Sequence, residues 1–323
     1  MRCKPPAKTS IEEAAGIIRA GGLVAMPTET VYGLAGDATN DAAIARIFET
    51  KNRPQINPLI VHVADIEMAH QFGVFTPMAT RLADVFWPGP LTLVVPRKEE
   101  VPLSLLLSAG LDTVALRAPS HPAAQALLRA VNKPIAAPSA NLSGTISPTQ
   151  SAHVVAGLGD KIDMILDGGA CTIGVESTIV MIENDQPVLL RAGGIETNAI
   201  EEVTGVSLGK ISTDDRVLSP GMLRSHYAPN ALMRLDAAAP EPGEAWLGFG
   251  QEHRDIPNSL NLSPQGSLRE AAANLFAYLR QLDEQCDARN LRRIAVAPIP
   301  MDGLGEAIND RLSRAAAPRN MDE

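Results

Sequence analysis

The sequence predicts an α/β protein with a mixed, twisted sheet in a larger N-terminal domain and a smaller, parallel, Rossmann-like α/β domain after it. The chain has 323 residues, which suits two domains better than one. Apolar residues make up 45% of it but aromatic residues only 3%, so the core must rely on Ala, Val, Leu and Ile, as in many layered α/β proteins. Short apolar runs typical of strands alternate with helical patterns along most of the chain.

The first elements carry clear start and stop signals. Ser10 followed by Glu13 is a capping box, and it predicts a helix that Gly21-Gly22 ends. A buried strand is predicted at residues 23–26 and a second helix at residues 41–50. Further strands are predicted at residues 59–63, 91–95, 113–116, 134–137, 164–166, 177–182 and 188–190, and further helices at residues 77–86, 122–131 and 149–156.

The spacing of these strands bears on the topology. A parallel pair of strands needs a long crossover, whereas several of the predicted strands are separated by only a few residues. We therefore expect antiparallel pairs within the sheet, which argues against a purely parallel, doubly wound arrangement.

The domain boundary is predicted in the second half of the chain. No periodic pattern runs from residue 206 to residue 230, and a stretch of this length without structure is normally a linker or a functional lid. Residues 1–205 then form the first domain, and residues 231–323 form the second. Strands at residues 231–235, 245–249 and 294–297 and helices at residues 268–285 and 306–314 predict a small parallel α/β domain there.

The charge balance argues against a nucleic-acid-binding protein. The chain has 28 Lys and Arg against 37 Asp and Glu, a formal net charge of -9. Proteins that bind nucleic acids normally carry a basic surplus, and those that bind single strands also use stacking aromatic rings, of which this chain has few. We expect no stable nucleic-acid binding.

Cysteine usage and hydropathy predict a cytoplasmic protein. Cys3, Cys171 and Cys286 are widely spaced and include no C-x-x-C pair, so neither a disulfide framework nor a cysteine-based zinc site is indicated. The N-terminus leads into no apolar signal segment, and no stretch reaches the roughly 18 apolar residues of a membrane helix. We expect a soluble, unexported protein with no membrane association.

Small clusters of polar and basic residues follow the predicted strands of the first domain, where open α/β sheets usually bind ligands. The clusters are residues 27–34, 51–54, 57–62, 116–119, 138–144 and 177–191. Taken singly, each residue has an ordinary structural explanation: Thr28 and Ser139 can cap turns, Lys51 and Arg53 can lie on a solvated surface, and His62 can be a satisfied strand residue.

As a set, the clusters favour an anion site. Pro138-Ser139-Ala140-Asn141 after an apolar strand places hydroxyl, amide and backbone N–H groups in one turn, which suits phosphate oxygens, and Lys51 and Arg53 would add charge-assisted contacts. The common alternatives are absent, because the sequence contains no P-loop, dinucleotide fingerprint, zincin motif or hydrolase nucleophile elbow.

In this order and with these separations, the clusters resemble the YrdC-domain family, the threonylcarbamoyl-adenylate synthases, in its long form with an extra C-terminal domain. The resemblance covers residues 10–205 as the catalytic domain, and Lys51-x-Arg53 with Ser139-x-Asn141 looks like its paired signature. It continues into residues 219–222 and 226–229, which look like the linker that folds back over the active site. Residues 220–226 lack the basic and aromatic filling expected before the histidine.

The resemblance implies a YrdC-like fold and the conversion of L-threonine, bicarbonate and ATP into threonylcarbamoyl-adenylate and pyrophosphate, for tRNA modification. It implies a catalytic set of Lys51, Arg53, Ser139 and Asn141. It implies that L-threonine is held by Thr30, His62, Arg117, Ala137 and Ser177, with Arg117 on the carboxylate. It implies that ATP is held by Arg53, Asn57, Thr113, Ser139, Ser147, Arg191 and Tyr227.

The implied substrates all carry anionic groups, namely a carboxylate, a bicarbonate and a triphosphate. The site therefore needs concentrated positive charge in an acidic protein, which Lys51, Arg53, Arg117 and Arg191 can supply. Mg²⁺ is expected to arrive with ATP, without a dedicated protein site. A linker that excludes water would protect a labile carbamate.

Two other functions stay open at this point: an RNA-binding or ribosome-maturation module, and carbamoyl transfer to a different acceptor. The C-terminal domain carries no recognisable motif. Lid support, dimer contacts and hand-over of the product to a tRNA threonylcarbamoyltransferase complex are its candidate roles.

Overall fold

The structure, a computed structural model, describes residues 2–54, 56–183, 186–210, 226–251 and 256–318. Within these ranges the chain forms one sheet of 11 strands and a second sheet of four. The strands of the first sheet are β1 (Cys3–Lys4), β2 (Val24–Met26), β3 (Gly33–Asp37), β4 (Ile60–His62), β5 (Leu91–Pro96), β6 (Thr113–Arg117), β7 (Ile135–Ala136), β8 (Met164–Leu166), β9 (Thr178–Glu183), β10 (Gln186–Arg191) and β11 (Gly209–Lys210).

The first sheet is mixed, as predicted. Its strand order is β1-β8-β2-β3-β7-β4-β6-β5-β9-β10-β11. The pairs β2/β3, β3/β7, β4/β7, β5/β6 and β9/β10 are antiparallel, and the other five neighbouring pairs are parallel. Pairing of β4 with β6 places His62 beside Arg117, so two predicted ligands of threonine become neighbours across the sheet.

Helices pack on this sheet through apolar faces. They are α1 (Lys8–Arg19), α2 (Asp41–Lys51), α3 (Ile66–Ala69), α4 (Pro77–Phe86), α5 (Pro122–Val131), α6 (Ser151–Leu158) and α7 (Thr197–Thr204). In α1 the buried residues Ile11, Ala14, Ala15 and Ile18 recur at helical spacing. Helices α4 and α5 begin at a proline, whose fixed φ suits a first helical position.

The predicted capping box is wrong. Helix α1 begins three residues earlier, at Lys8, with Ala7 as its N-cap and no side-chain cap. Ser10 therefore lies inside the first turn and is buried, so its hydroxyl is not at the helix end that a capping box requires.

The sequence prediction also missed strands. Residues 33 and 34 were predicted only as the end of the cluster at residues 27–34, and residues 35–37 were assigned to no element. Residues 33–37 in fact form β3, a buried strand containing Gly33 and Gly36. A Cβ at Gly36 would lie 3.0 Å from the side chain of Ile47 and 3.1 Å from that of Leu23, so packing favours a glycine at a position where it weakens strand propensity. The short strand β11 lies in the predicted linker and extends the first sheet; the rest of that linker, from residue 211 to residue 225, lies outside the described residues.

The second domain is a small parallel α/β unit, as predicted. Its sheet has the order β12-β15-β13-β14 with parallel pairs throughout. The strands are β12 (Leu232–Arg234), β13 (Glu244–Gly248), β14 (Ser259–Asn261) and β15 (Arg293–Val296), and the helices are α8 (Leu268–Arg289) and α9 (Gly305–Ala316).

The two domains share an apolar core. Val31, Ile146 and Val175 of the first domain belong to the same buried cluster as Phe276 of α8 and Ile308 of α9. The two backbones also approach closely, because a Cβ at Gly174 would lie 2.3 Å from the carbonyl oxygen of Ala272 in α8. Within the described ranges, no helix combines the length and the apolar character needed to cross a lipid bilayer.

Candidate active site

A cavity opens where β3, β4, β6 and β7 meet the segment that leads into the second domain. Its lining combines residues from all six polar clusters of the sequence. The lining residues are Thr28, Thr30, Val31, Gly33, Arg53, Ile60, His62, Arg117, Ala137, Pro138, Ser139, Glu176, Ser177, Arg191, His226 and Tyr227. All five residues predicted to hold L-threonine are among them, and so are four of the predicted ATP residues.

A tight turn just before β3 orders the side-chain hydroxyls of Thr28 and Thr30. The Oγ1 of Thr28 donates to the carbonyl oxygen of Val31 at 2.7 Å and lies 2.8 Å from the Oγ1 of Thr30. Because the hydrogen of Thr28 is used on Val31, Thr30 donates to Thr28, and its oxygen lone pairs remain able to accept. Thr30 therefore presents an acceptor to the cavity.

Arg117 is held by a buried ion pair that the sequence analysis did not identify. Its Nη2 lies 2.6 Å from the Oε1 of Glu29, and both side chains are more than nine-tenths buried. The Oε2 of Glu29 accepts from the backbone N–H of Ser120 at 3.1 Å, and the Nε of Arg117 donates to the carbonyl oxygen of Gly89 at 3.3 Å. The guanidinium is thereby fixed in orientation while it lines the cavity.

His62 contributes a neutral imidazole. Burial, and then the charge of Arg117, lower its pKa to about 3, so the ring is uncharged near neutral pH. Its Nδ1 has no hydrogen-bond partner among the described residues, although it is buried. A buried nitrogen without a partner at the wall of a cavity is suited to a ligand.

Arg191 and Ser177 form a second ordered pair. Arg191 donates from Nη2 to the carbonyl oxygen of Ser177 at 2.9 Å and to its Oγ at 3.1 Å. The same hydroxyl lies 2.7 Å from the Oγ1 of Thr92. Burial is the main reason that the pKa of Arg191 is lowered, but an arginine stays charged near neutral pH.

Lys51 lies beneath the turn at residues 138–141 and does not line the cavity. Its Nζ donates to the carbonyl oxygens of Ser139 and Asn141. Burial, and then Arg53, lower its pKa well below the usual lysine value. In the structure its ammonium group holds the turn that carries Ser139, and the catalytic role of Lys51 stays a prediction.

Asn141 has a similar supporting place. Its Nδ2 donates to the carbonyl oxygens of Leu142 and Thr145 at 3.0 and 2.8 Å, and it is buried outside the cavity lining. Asn141 and Lys51 are therefore the two buried members of the paired signature, and they support the half-buried Ser139. The pattern K-x-R and S-x-N thus brings together two residues that line the cavity and two that support them.

Arg53 does line the cavity. Its Nε and Nη2 donate to the carbonyl oxygens of Asn57 and Pro58 at 3.2 and 3.0 Å, and it has no carboxylate partner among the described residues. Burial lowers its pKa to about 10, with Arg191 acting in the same direction. A half-buried cation without a described carboxylate partner is a favourable site for an anionic ligand.

Three predicted ATP residues lie outside the cavity lining. Asn57 is buried and orders Arg53 through its carbonyl oxygen. Thr113 begins β6 and lines a neighbouring cavity with Pro58 and Ala115. Ser147 is buried and donates to Glu176 at 2.7 Å.

The second domain also reaches this site, which the sequence analysis did not detect. Arg311 of α9 is fully buried, and its Nε lies 2.9 Å from the Oε2 of Glu176, a lining residue. Its guanidinium carbon lies 5.4 Å from the centre of the Tyr227 ring. Neither Glu176 nor Arg311 sits in a recognisable motif, so only the packing of the domains reveals their pairing.

Comparison with known proteins assigns the chain to a family. The protein-family model of the Sua5, YciO and YrdC proteins, described as Telomere recombination, matches residues 16–193. A second model, described as Threonylcarbamoyl-AMP synthase, C-terminal domain, matches residues 195–317. The chain belongs to the Sua5/YciO/YrdC family. Because both models match, it has the long, two-domain form of the family.

Relatives of this Sua5-type chain match over its full length. It is 42% identical to the threonylcarbamoyl-AMP synthase of Bacillus subtilis over 330 residues, covering 96% of this chain and 93% of that protein. Its structure is similar to the crystal structure of Pyrococcus abyssi Sua5 complexed with L-threonine, with a TM-score of 0.86 and 37% identity over 98% of this chain and 96% of that one. Escherichia coli YciO shares the fold of the first domain, with a TM-score of 0.53 and 25% identity over 59% of this chain and 93% of that one.

Proposed function

We propose that this protein catalyses the formation of threonylcarbamoyl-adenylate and pyrophosphate from L-threonine, bicarbonate and ATP. The observation that carries the proposal is a single cavity in an acidic protein lined by Arg53, Arg117 and Arg191. Arg117 is paired with Glu29, and Glu176 is paired with Arg311. These four arginines outnumber the two carboxylates, so the cavity keeps a surplus of positive charge, which suits substrates that all carry negatively charged groups. The full-length similarity to threonylcarbamoyl-AMP synthases supports the same reaction.

L-threonine is assigned to the end of the cavity near β4 and β6. Arg117, oriented by Glu29, binds the carboxylate. Thr30 and Ser177 supply hydroxyl contacts, His62 supplies a neutral ring nitrogen, and the assignment of Ala137 rests on its backbone.

ATP is assigned to the other end, near the turn at residues 138–141. Arg53 and Arg191 bind the phosphates, and Ser139 contributes its hydroxyl on a turn braced by Lys51 and Asn141. Tyr227 covers this end. Asn57 and Ser147 act through Arg53 and Glu176 respectively, and the assignment of Thr113 requires the nucleotide to extend into the neighbouring cavity.

The proposed reaction depends on the positioning of the substrates and needs no covalent intermediate with the protein. The threonine amine attacks bicarbonate, and loss of water leaves a carbamate. A carbamate oxygen attacks the α-phosphorus of ATP, the bond to the β-phosphate oxygen breaks, and pyrophosphate leaves. Arg53 and Arg191 stabilise the charge that develops on the phosphates, and the fixed hydrogen-bonding groups hold the two reactants together.

Mg²⁺ is proposed to enter as the ATP complex. Glu176 is the one carboxylate among the described residues of the lining, and both of its oxygens are already engaged, by Ser147 and Arg311. These residues fit an ion held by phosphate oxygens and water rather than by a protein cage.

The product is an activated adenylate, so we place the reaction in the cytoplasm, where ATP and tRNA are available, and assign hand-over to a tRNA threonylcarbamoyltransferase complex as its next step. The product would pass to the transferase without stable binding of tRNA to this chain.

The test is pyrophosphate release by the purified protein with ATP, Mg²⁺ and bicarbonate, in the presence of L-threonine, L-serine or no amino acid. We expect release that requires both threonine and bicarbonate. Release that is indifferent to bicarbonate, or no release with any amino acid, would refute the reaction. A gel shift with bulk tRNA in moderate salt then tests the RNA-binding alternative, which requires a stable complex.

A further inference from the structure

Arg311 joins the second domain to the nucleotide end of the cavity. Its side chain is fully buried, although an arginine is rarely buried without a partner. Besides Glu176, it contacts Asp310, whose Oδ2 lies 2.8 Å from Nη1. Asp310 in turn pairs with Arg314 one turn along α9. The guanidinium is therefore held in one position by two carboxylates from different domains.

Glu176 presents an electrostatic problem that Arg311 resolves. Its carboxylate lines a cavity intended for a triphosphate, where a free negative charge would repel the ligand. Burial works to raise its pKa, but the charges of Arg311 and Arg191 and the hydrogen bond from Ser147 outweigh burial, so the pKa lies below the ordinary glutamate value. The carboxylate stays ionised and is balanced by a cation from the other domain.

Arg311 also supports Tyr227. This residue is buried and has a φ of +63°, a left-handed conformation that is strained for a tyrosine. Its ring stacks on Phe276 of α8 at 5.3 Å, and the guanidinium of Arg311 lies over the ring. The preceding backbone N–H, of His226, donates to the carbonyl oxygen of Arg314 at 3.3 Å. The second domain thus holds the strained residue in place over the cavity.

We propose that Arg311 is a positioning residue for ATP, which neutralises Glu176 and holds Tyr227 at the nucleotide end of the active site. The proposal rests on the proposed function for the identity of the nucleotide. By this proposal the C-terminal domain helps to form the active site through Arg311, which contacts lining residues but does not itself line the cavity.

The experiment compares the wild type with Arg311→Met, Glu176→Gln, the double variant and the control Arg289→Met. Arg289 is an exposed arginine at the end of α8 in the same domain, and it donates to Asn258, away from Glu176 and Tyr227. Binding of Mg-ATP is measured by calorimetry, independently of turnover. The KM values for ATP and for threonine are then measured for each folded variant, with folding verified by thermal melting.

We expect Arg311→Met to weaken Mg-ATP binding at least ~10-fold, a conservative figure for an interaction that leaves a buried charge unpaired. Its KM for ATP should rise in parallel, while the KM for threonine changes by less than about twofold. Glu176→Gln in the same chain should recover most of the lost affinity, because it removes the repelling charge. Arg289→Met should bind Mg-ATP as the wild type does.

Three results for the variants would overturn the proposal. A merely structural role predicts a lower melting temperature with unchanged ATP affinity in the folded Arg311→Met protein. A double variant that binds no better than Arg311→Met excludes the charge argument. If Glu176→Gln alone loses as much affinity for Mg-ATP as Arg311→Met does, the carboxylate itself is a ligand. Wild-type protein that binds ATP but releases no pyrophosphate with threonine refutes the proposed reaction only, since the binding series still decides the role of Arg311.

Discussion

Replacing Arg53 by alanine should weaken the use of ATP with little effect on threonine. Among the described residues, Arg53 is the lining arginine that has only carbonyl partners, so the phosphates would be its main source of opposite charge. A hydrogen bond to a charged group contributes about 1.5–3 kcal/mol. At roughly 1.4 kcal/mol per factor of ten, the KM for ATP should rise about 10- to 150-fold.

The assay is pyrophosphate release with ATP varied at saturating threonine, and then the reverse. The substitution also removes the two hydrogen bonds to the loop at residues 57–58, which costs about 1–3 kcal/mol of stability at the usual value per bond. Arg19→Ala is the matched control, because this distant arginine also donates to a main-chain carbonyl, that of Ala130. A KM for ATP that stays within twofold of the wild type in folded Arg53→Ala, or an equal rise in both KM values, would refute the reasoning.

Three further predictions concern the surrounding structure. Arg117→Ala should destabilise the protein by about 3–5 kcal/mol in urea unfolding, because Glu29 keeps a buried charge; Glu29→Gln in the same chain should reduce this loss, and an additive loss would contradict the ion pair. Burial opposes ionisation of Asp37, but the hydrogen bonds from Lys133 and Thr39 outweigh it and lower its pKa. The stabilisation of the folded state by ionised Asp37 is therefore complete above the unfolded-state pKa of about 3.9, and it is lost as the pH falls through the lower folded-state pKa. The difference in free energy of unfolding between wild type and Asp37→Asn should shrink below about pH 4. A difference that grew instead would count against the pairing. Gly174→Ala should cost about 1–3 kcal/mol through overpacking against α8, and unchanged thermal melting would show that the domains separate easily.

The class of the fold could be predicted from the sequence because its periodic elements are locally encoded. Helices α4 and α5 have the predicted bounds, since a proline starts each one and an apolar stripe continues it. The strands β3 and β11 could not be predicted. Two glycines weaken the local pattern of β3, and β11 is a two-residue strand that exists only through its pairing with β10.

The candidate site divides in a similar way. The residues that line the cavity near β4 and β6 lie in motifs and were predicted together. The different roles of Lys51 and Arg53 within the paired signature could not be predicted, because they depend on burial. Lys51 donates to two carbonyl oxygens under the turn, whereas Arg53 reaches the cavity. Both are basic residues two positions apart, and their spacing alone does not distinguish them.

The sequence by itself determined the fold class, the family and the set of polar clusters, since each of these depends on residues close together in the chain or on motifs in a constant order. Only the tertiary structure decided how the charges are balanced. The partners of Arg117 and Glu176 are Glu29 and Arg311, which lie 88 and 135 positions away. Such pairs form because burial makes an unpaired charge costly, and which groups become buried together depends on the packing of the whole chain.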